Sequence, residues 1–274
     1  MIESLVSQDE INIIKNNFST LLNKEFRKKF LVDKLNCIKT PEQLVAFFSR
    51  YITFNSVVGG SIARLAGAAH VLQKSFLGDQ INRSASIYST SSKIASYILA
   101  AAEDEFNSKT NGIRVTHCEM AAFFFDSVNE YFSLISPFEE NLSPLTNEVM
   151  NSYCFFDMPE DAAFFNGLGF HVASEELADL EFNCIRNFLK SNFIDLIYFL
   201  QNKENAFGLP SSFWIDIHCV VEKEHTCYGL KAIEIAMESY SGTLSDFEVK
   251  CNIESGYNGF CKLQYQMLEY CCSF

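Results

Sequence analysis

Residues 213–230 read FWIDIHCVVEKEHTCYGL. An α-helix turns about 100° per residue, so the offsets of four and seven in His218-x3-Glu222-x2-His225 return nearly to one side. Wound as a helix, this stretch projects two imidazoles and a carboxylate from a single face, one above another. Two nitrogens and a carboxylate on one stripe suit iron, manganese or zinc. Phe213, Trp214, Ile215 and Ile217 before the stripe, and Tyr228 and Leu230 after it, give it an apolar setting. Lys223 and Glu224 support the plainer reading, a helix face that partly meets water.

The same period runs through much of the chain. Leu44, Phe47, Phe48, Tyr51 and Ile52 recur at threes and fours, as do Leu177, Leu180, Cys184 and Phe188. Few segments alternate strictly, and turn signals are too sparse for a β-sandwich. Proline is scarce at five. Thr40-Pro41-Glu42-Gln43 places a capping Thr, a Pro at the first helical position and a Gln at the third. Ser7-Gln8-Asp9-Glu10 is a second capping box, Asp157-Met158-Pro159-Glu160 a similar start, and Gly208-Leu209-Pro210-Ser211 closes one segment and opens another. These marks predict helices over 8–30, 41–77, 84–106, 114–135, 144–156, 159–190, 193–203, 211–240 and 257–272. Asn111-Gly112 breaks the run between two of them. The predicted fold class is all-α. With no repeat, low-complexity tract or dividing linker, residues 1–274 are expected to form one domain, with 1–35 as an N-terminal helical arm.

Composition narrows the function. The chain has 274 residues, 48% of them hydrophobic, enough to bury a large core without disulfides. Its 27 Phe suit a thick aromatic core or a site that keeps water out. A net charge of −13, from 34 acidic and 21 basic residues, argues against nucleic acid and against anionic lipid as partners. The start, Met1-Ile2-Glu3-Ser4, lacks a signal-peptide pattern, and the richest apolar run, Ile94 to Ala102, is too short for a membrane span. A cytoplasmic location is expected. The ten cysteines are scattered with no C-x-x-C pair, and read as reduced, mostly buried thiols.

A metal site draws ligands from several helices. Gly169-Phe170-His171-Val172-Ala173-Ser174-Glu175 lies in a second apolar helix, where Gly169 and Ala173 leave room for a neighbour. Glu175 faces inward if His171, one turn away, does so. Periodicity leaves Glu176, Asp179 and Glu181 as its rivals. A third cluster runs Glu103-Asp104-Glu105-Phe106 and, after the break, Thr116-His117-Cys118-Glu119-Met120; it reads equally as an acidic helix end and an ordinary His. Other chemistries lack their motifs. A ferritin-like site needs two Glu-x-x-His pairs, and only Glu222-x-x-His225 suits. There is no His-Glu-x-x-His, Walker loop or Gly-x-Ser-x-Gly elbow, and Gly167-Leu168-Gly169 lacks the third glycine of a dinucleotide fingerprint.

Taken in order over about 40–240, these segments resemble the heme-oxygenase-like di-iron oxidases and oxygenases. Asp104-Glu105 and His117 are similar to that family's first motif, the lead-in to Glu175 to its second, and His218, Glu222 and His225 to its His-x3-Asp/Glu-x2-His. The resemblance implies a heme-free bundle of about seven core helices and two irons per chain held by Glu105, His117, Glu175, His218, Glu222 and His225, with Mn or Zn as substitutes. It further implies O2 and a small organic molecule as substrates. Glu103 and Glu119 are rivals of Glu105. Asp104, Asp179 and Glu119 are candidates to orient a ligating His, while His70 and His171 fall outside the ligand set. Two other functions stay open. One is a metal-free, thiaminase-like or cofactorless member of the fold, using Cys118, Cys219 or Cys227. The other is a non-enzymatic interaction protein, its acidic surface and arm serving partner binding or a homodimer.

Overall fold

The computed structural model describes residues 24–76, 84–110, 113–135, 144–153 and 160–274; the side chains at 24–26, 84–88 and 102–114 lie outside that description. The described residues form ten α-helices: α1 Lys24–Leu35, α2 Pro41–Asn55, α3 Val58–Val71, α4 Ser84–Asn107, α5 His117–Phe132, α6 Pro144–Ser152, α7 Glu160–Asn192, α8 Ile194–Asn202, α9 Phe213–Ser239 and α10 Asp246–Cys271. The predicted all-α bundle is what forms.

Helix α7 organises it. Every residue from Ala162 to Glu175 is buried, so this part of the helix is enclosed on all sides. Helices α9 and α10 make the largest contacts with it; α9 also packs on α4, and α10 on α2. Two glycines set the spacing. A Cβ at Gly169 would overlap the carbonyl oxygen of Ile253, and one at Gly256 would overlap that of Asn166. The α7 and α10 backbones therefore touch directly, and any side chain at the crossing would force them apart. Gly229 plays the matching part on α9, where a Cβ would come 2.9 Å from Val172 Cγ2.

Three expectations are corrected. The run predicted over 41–77 is two helices and a short 3-10 turn, Gln73–Phe76, broken at Ser56 and Val57. At the break Ser56 Oγ donates to the Thr53 carbonyl, a local bond that competes with the helix. The last helix starts at Asp246, eleven residues early, because Ser245 and Glu248 form a capping box. A short antiparallel hairpin, β1 Ser108–Thr110 and β2 Ile113–Val115, fills the break before α5. Asn-Gly is a hairpin signal as much as a helix breaker; Asn111-Gly112 itself lies outside the described residues. The described part of the N-terminal arm is docked: α1 packs on α7, with Leu31 and Leu35 in the common core. The starts at Ser7 and at 157–159 lie outside the described residues.

Candidate metal centre

Helix α9 presents His218, Glu222 and His225 on one buried face, as their spacing requires. Helix α7 brings Glu175 to the same place. His225 Nδ1 lies 3.4 Å from Glu175 Oε2 and 3.7 Å from Glu222 Oε2. Donor atoms of Glu175, Glu222 and His225 all fall within 4.8 Å of one another, the spread of a single ion's ligand set. His218 Nε2 stands 3.7 Å from Glu222 Oε1.

His117 arrives from a third direction. It is the first residue of α5, fixed there by the Thr116 cap, whose hydroxyl accepts from the Glu119 amide while Glu119 returns a bond to the Thr116 amide. Its ring lies 4.5 Å from that of His218, centroid to centroid. The cap also occupies Glu119, a rival for the first carboxylate, on the exposed side of the helix end. The side chains of Glu103, Asp104 and Glu105 lie outside the described residues, although α4 runs through all three.

The imidazole of His218 is held in one tautomer. Its Nδ1–H donates to the Trp214 carbonyl at 2.7 Å, and its ring stacks on Phe182 at 4.0 Å. The lone pair is therefore on Nε2, the nitrogen that faces Glu222. Burial, and then the neighbouring His117, push its pKa well below the usual histidine value, so the ring is neutral and able to ligate. The carboxyls divide. Burial works against an ionised Glu175, but the imidazoles of His171 and His225 outweigh it and keep its pKa low. Burial, with Glu175 beside it, drives Glu222 well above the ordinary carboxyl range.

These residues fit a metal. Glu222 Oε2 and His171 Nε2 are buried with no hydrogen-bond partner among the described residues. The donors are imidazole and carboxylate, a mixed N/O set of the kind iron, manganese and zinc accept.

His171, left outside the ligand set by sequence, lies against it: Nδ1 is 3.2 Å from Glu175 Oε1. The i,i+4 spacing was its signal. His70 is exposed on α3. The rivals of Glu175 point elsewhere. Glu176 accepts from the Tyr257 hydroxyl, and Asp179 from Asn183. Glu181 accepts from Tyr51 at 2.7 Å and from Gln264. A cavity of about 310 Å³ opens onto the centre, bounded by His117, Glu175, His218, Glu222, Glu181 and Trp214, among others. Thr53, Asn55, Ser56 and Val58, at the break between α2 and α3, form part of its wall. Aromatic rings back it: Trp214 packs on Phe124 at 5.6 Å and on Phe182 at 5.3 Å.

The described cysteines form no disulfide. Cys118 lines the cavity. Burial raises the Cys219 thiol, the opposite of an activated nucleophile. No described helix is long and apolar enough to cross a membrane.

No protein-family model matches the chain, and no curated protein matches it. Among solved structures it is similar to a CADD-like protein of unknown function from Nostoc punctiforme. The match has a TM-score of 0.54 and 14% identity, over 96% of this chain and 95% of that one. At that identity the likeness carries the fold alone.

Proposed function

We propose that this chain is a non-heme di-iron, O2-dependent oxidase or oxygenase acting on a small organic substrate. The observation that carries the reading is the buried group of Glu175, Glu222 and His225, with His218 and His117 beside it and a cavity open onto it. In this reading Glu175, Glu222 and His225 hold one ion, and His117 and His218, with Glu105 from α4, complete a second. Ferrous iron bound there would supply the electrons that reduce dioxygen.

The chain's own residues do the rest. Trp214 and Phe182 fix the His218 ring so that Nε2 alone meets the metal. His171 supports the ionised form of Glu175. A cation held there would favour the ionised form of Glu222, so binding would release acid. The aromatic wall keeps bulk water from the reacting atoms.

The test is metal content of protein purified without chelator, followed by anaerobic Fe(II) titration. About two irons per chain are expected, with uptake abolished in His218→Ala and Glu175→Ala, and substrate-dependent O2 consumption lost with it. Absence of stoichiometric metal in the folded wild-type protein would refute the reading.

A further inference from the structure

The same cavity holds a carboxyl that the metal centre does not use. Glu181 lies on its wall and is buried, 5% exposed. Ser174, Glu175, Ala178, Glu181 and Phe182 all line the cavity, a single stripe along α7. At a rise of 1.5 Å per residue, Glu181 stands about 9 Å along the helix axis from Glu175. A ligand anchored by one end at Glu181 therefore presents its other end to the metal centre.

The charge of the cavity selects the anchor. Its described lining contains three glutamates and no lysine or arginine. The two described partners of Glu181, the Tyr51 hydroxyl and the Gln264 amide, are neutral donors. A buried carboxylate with neutral partners alone is costly to ionise. Burial, partly offset by those two bonds, moves the Glu181 pKa to about 7. Each carboxylate oxygen keeps a second acceptor site. The cavity walls include Phe54, Phe182, Trp214 and Phe260, rings that suit an apolar body and attract a cation to their faces. The volume falls near the lower end of the roughly 300–1,000 Å³ typical of small-molecule sites.

We propose that this cavity takes a small organic amine, its ammonium paired with Glu181 and its apolar body lying between the aromatic walls and the metal centre. Resting on the metal-dependent reading above, the inference makes that amine the substrate. In the metal-free protein an anionic ligand would meet three carboxyls and no basic side chain among the described lining residues; with metal bound, only Glu181 would keep an uncompensated carboxyl. A neutral one would leave Glu181 without a counter-charge.

The test uses three probes of one shape, 3-phenylpropylamine, 3-phenylpropan-1-ol and 3-phenylpropanoate. Each is titrated calorimetrically into the full chain near about pH 8, where Glu181 is mostly ionised, metal-free and Fe(II)-loaded. The amine is expected to bind at least about tenfold more tightly than the alcohol, with the carboxylate weakest in the metal-free protein. Glu181→Gln should bring amine and alcohol together while leaving Fe(II) uptake unchanged. If that variant does not fold, the ranking of the three probes on wild-type protein decides. Equal binding of amine and alcohol by protein that takes up iron overturns this inference and spares the metal centre. An amine preference without iron uptake supports the amine site and overturns the metal-dependent reading.

Discussion

Replacing Glu181 by Gln tests how the buried carboxyl is held, with no ligand or metal present. In the unfolded chain a Glu carboxyl titrates near 4.5, and in the fold burial lifts Glu181 to about 7. Below the lower value both states carry the proton, and Glu181 adds nothing to the pH dependence. Between the two values only the folded state keeps it. Stability therefore falls as pH rises through that window, and the full penalty stands above the folded value. A shift of about 2.5 units at 1.36 kcal/mol per unit makes that penalty about 3 kcal/mol, of which roughly 2–3 kcal/mol develops between about pH 5 and pH 8. Gln does not titrate and keeps groups that can bond Tyr51 and Gln264. Urea unfolding of metal-free wild type and Glu181→Gln at the two pH values isolates the effect, because any fixed cost of the substitution cancels. Wild type should lose that much more stability than the variant on going from acid to base. Parallel pH dependences would refute the buried, burial-shifted carboxyl and weaken the case for a cation beside it.

Gly169→Ala should destabilise the fold by about 1–3 kcal/mol, because the new methyl meets the Ile253 backbone of α10, even though Ala favours a helix by about 1 kcal/mol. Gly67→Ala, on the exposed side of α3 with nothing within 4 Å, should instead raise stability by up to about 1 kcal/mol; equal effects at both positions in thermal melts would contradict the α7–α10 crossing. Thr116→Ala removes the cap that starts α5, so a loss of about 1 kcal/mol in stability is expected. Because His117 is the next residue, Fe(II) affinity should fall as well, and a calorimetric titration of the folded variant with undiminished affinity would rule out a role for the cap in aiming His117.

Much of the fold was legible because it is written in local terms. The 3.6-residue period and the capping boxes are properties of neighbouring residues, and they placed α4, α7, α8 and α9 closely, and the start of α2. What they missed was also local but ambiguous. An apolar pattern ran on through Ser56 and Val57 although the helix ends there. Asn111-Gly112 was read as a break where a hairpin forms. The α9 stripe was legible for the same reason as the helices: fixed offsets on a regular helix determine a shared face.

The sequence by itself determined that His218, Glu222 and His225 lie together, since helix geometry alone puts them there. Periodicity left Glu176, Asp179 and Glu181 as rivals of Glu175 on α7, and left His171 outside the ligand set. Only the tertiary structure separated them. Periodicity states which way a side chain points along its own helix, but not which helix stands opposite. That choice came from the close crossings at Gly169, Gly256 and Gly229, which set α9 and α10 against α7. Glu175 then met His225 and Glu222, Glu176 met Tyr257 on α10, and Glu181 met Tyr51 on α2 and became part of the cavity wall. A carboxylate's role in this protein is fixed by the partner facing it, and a partner from a distant segment is not encoded in spacing.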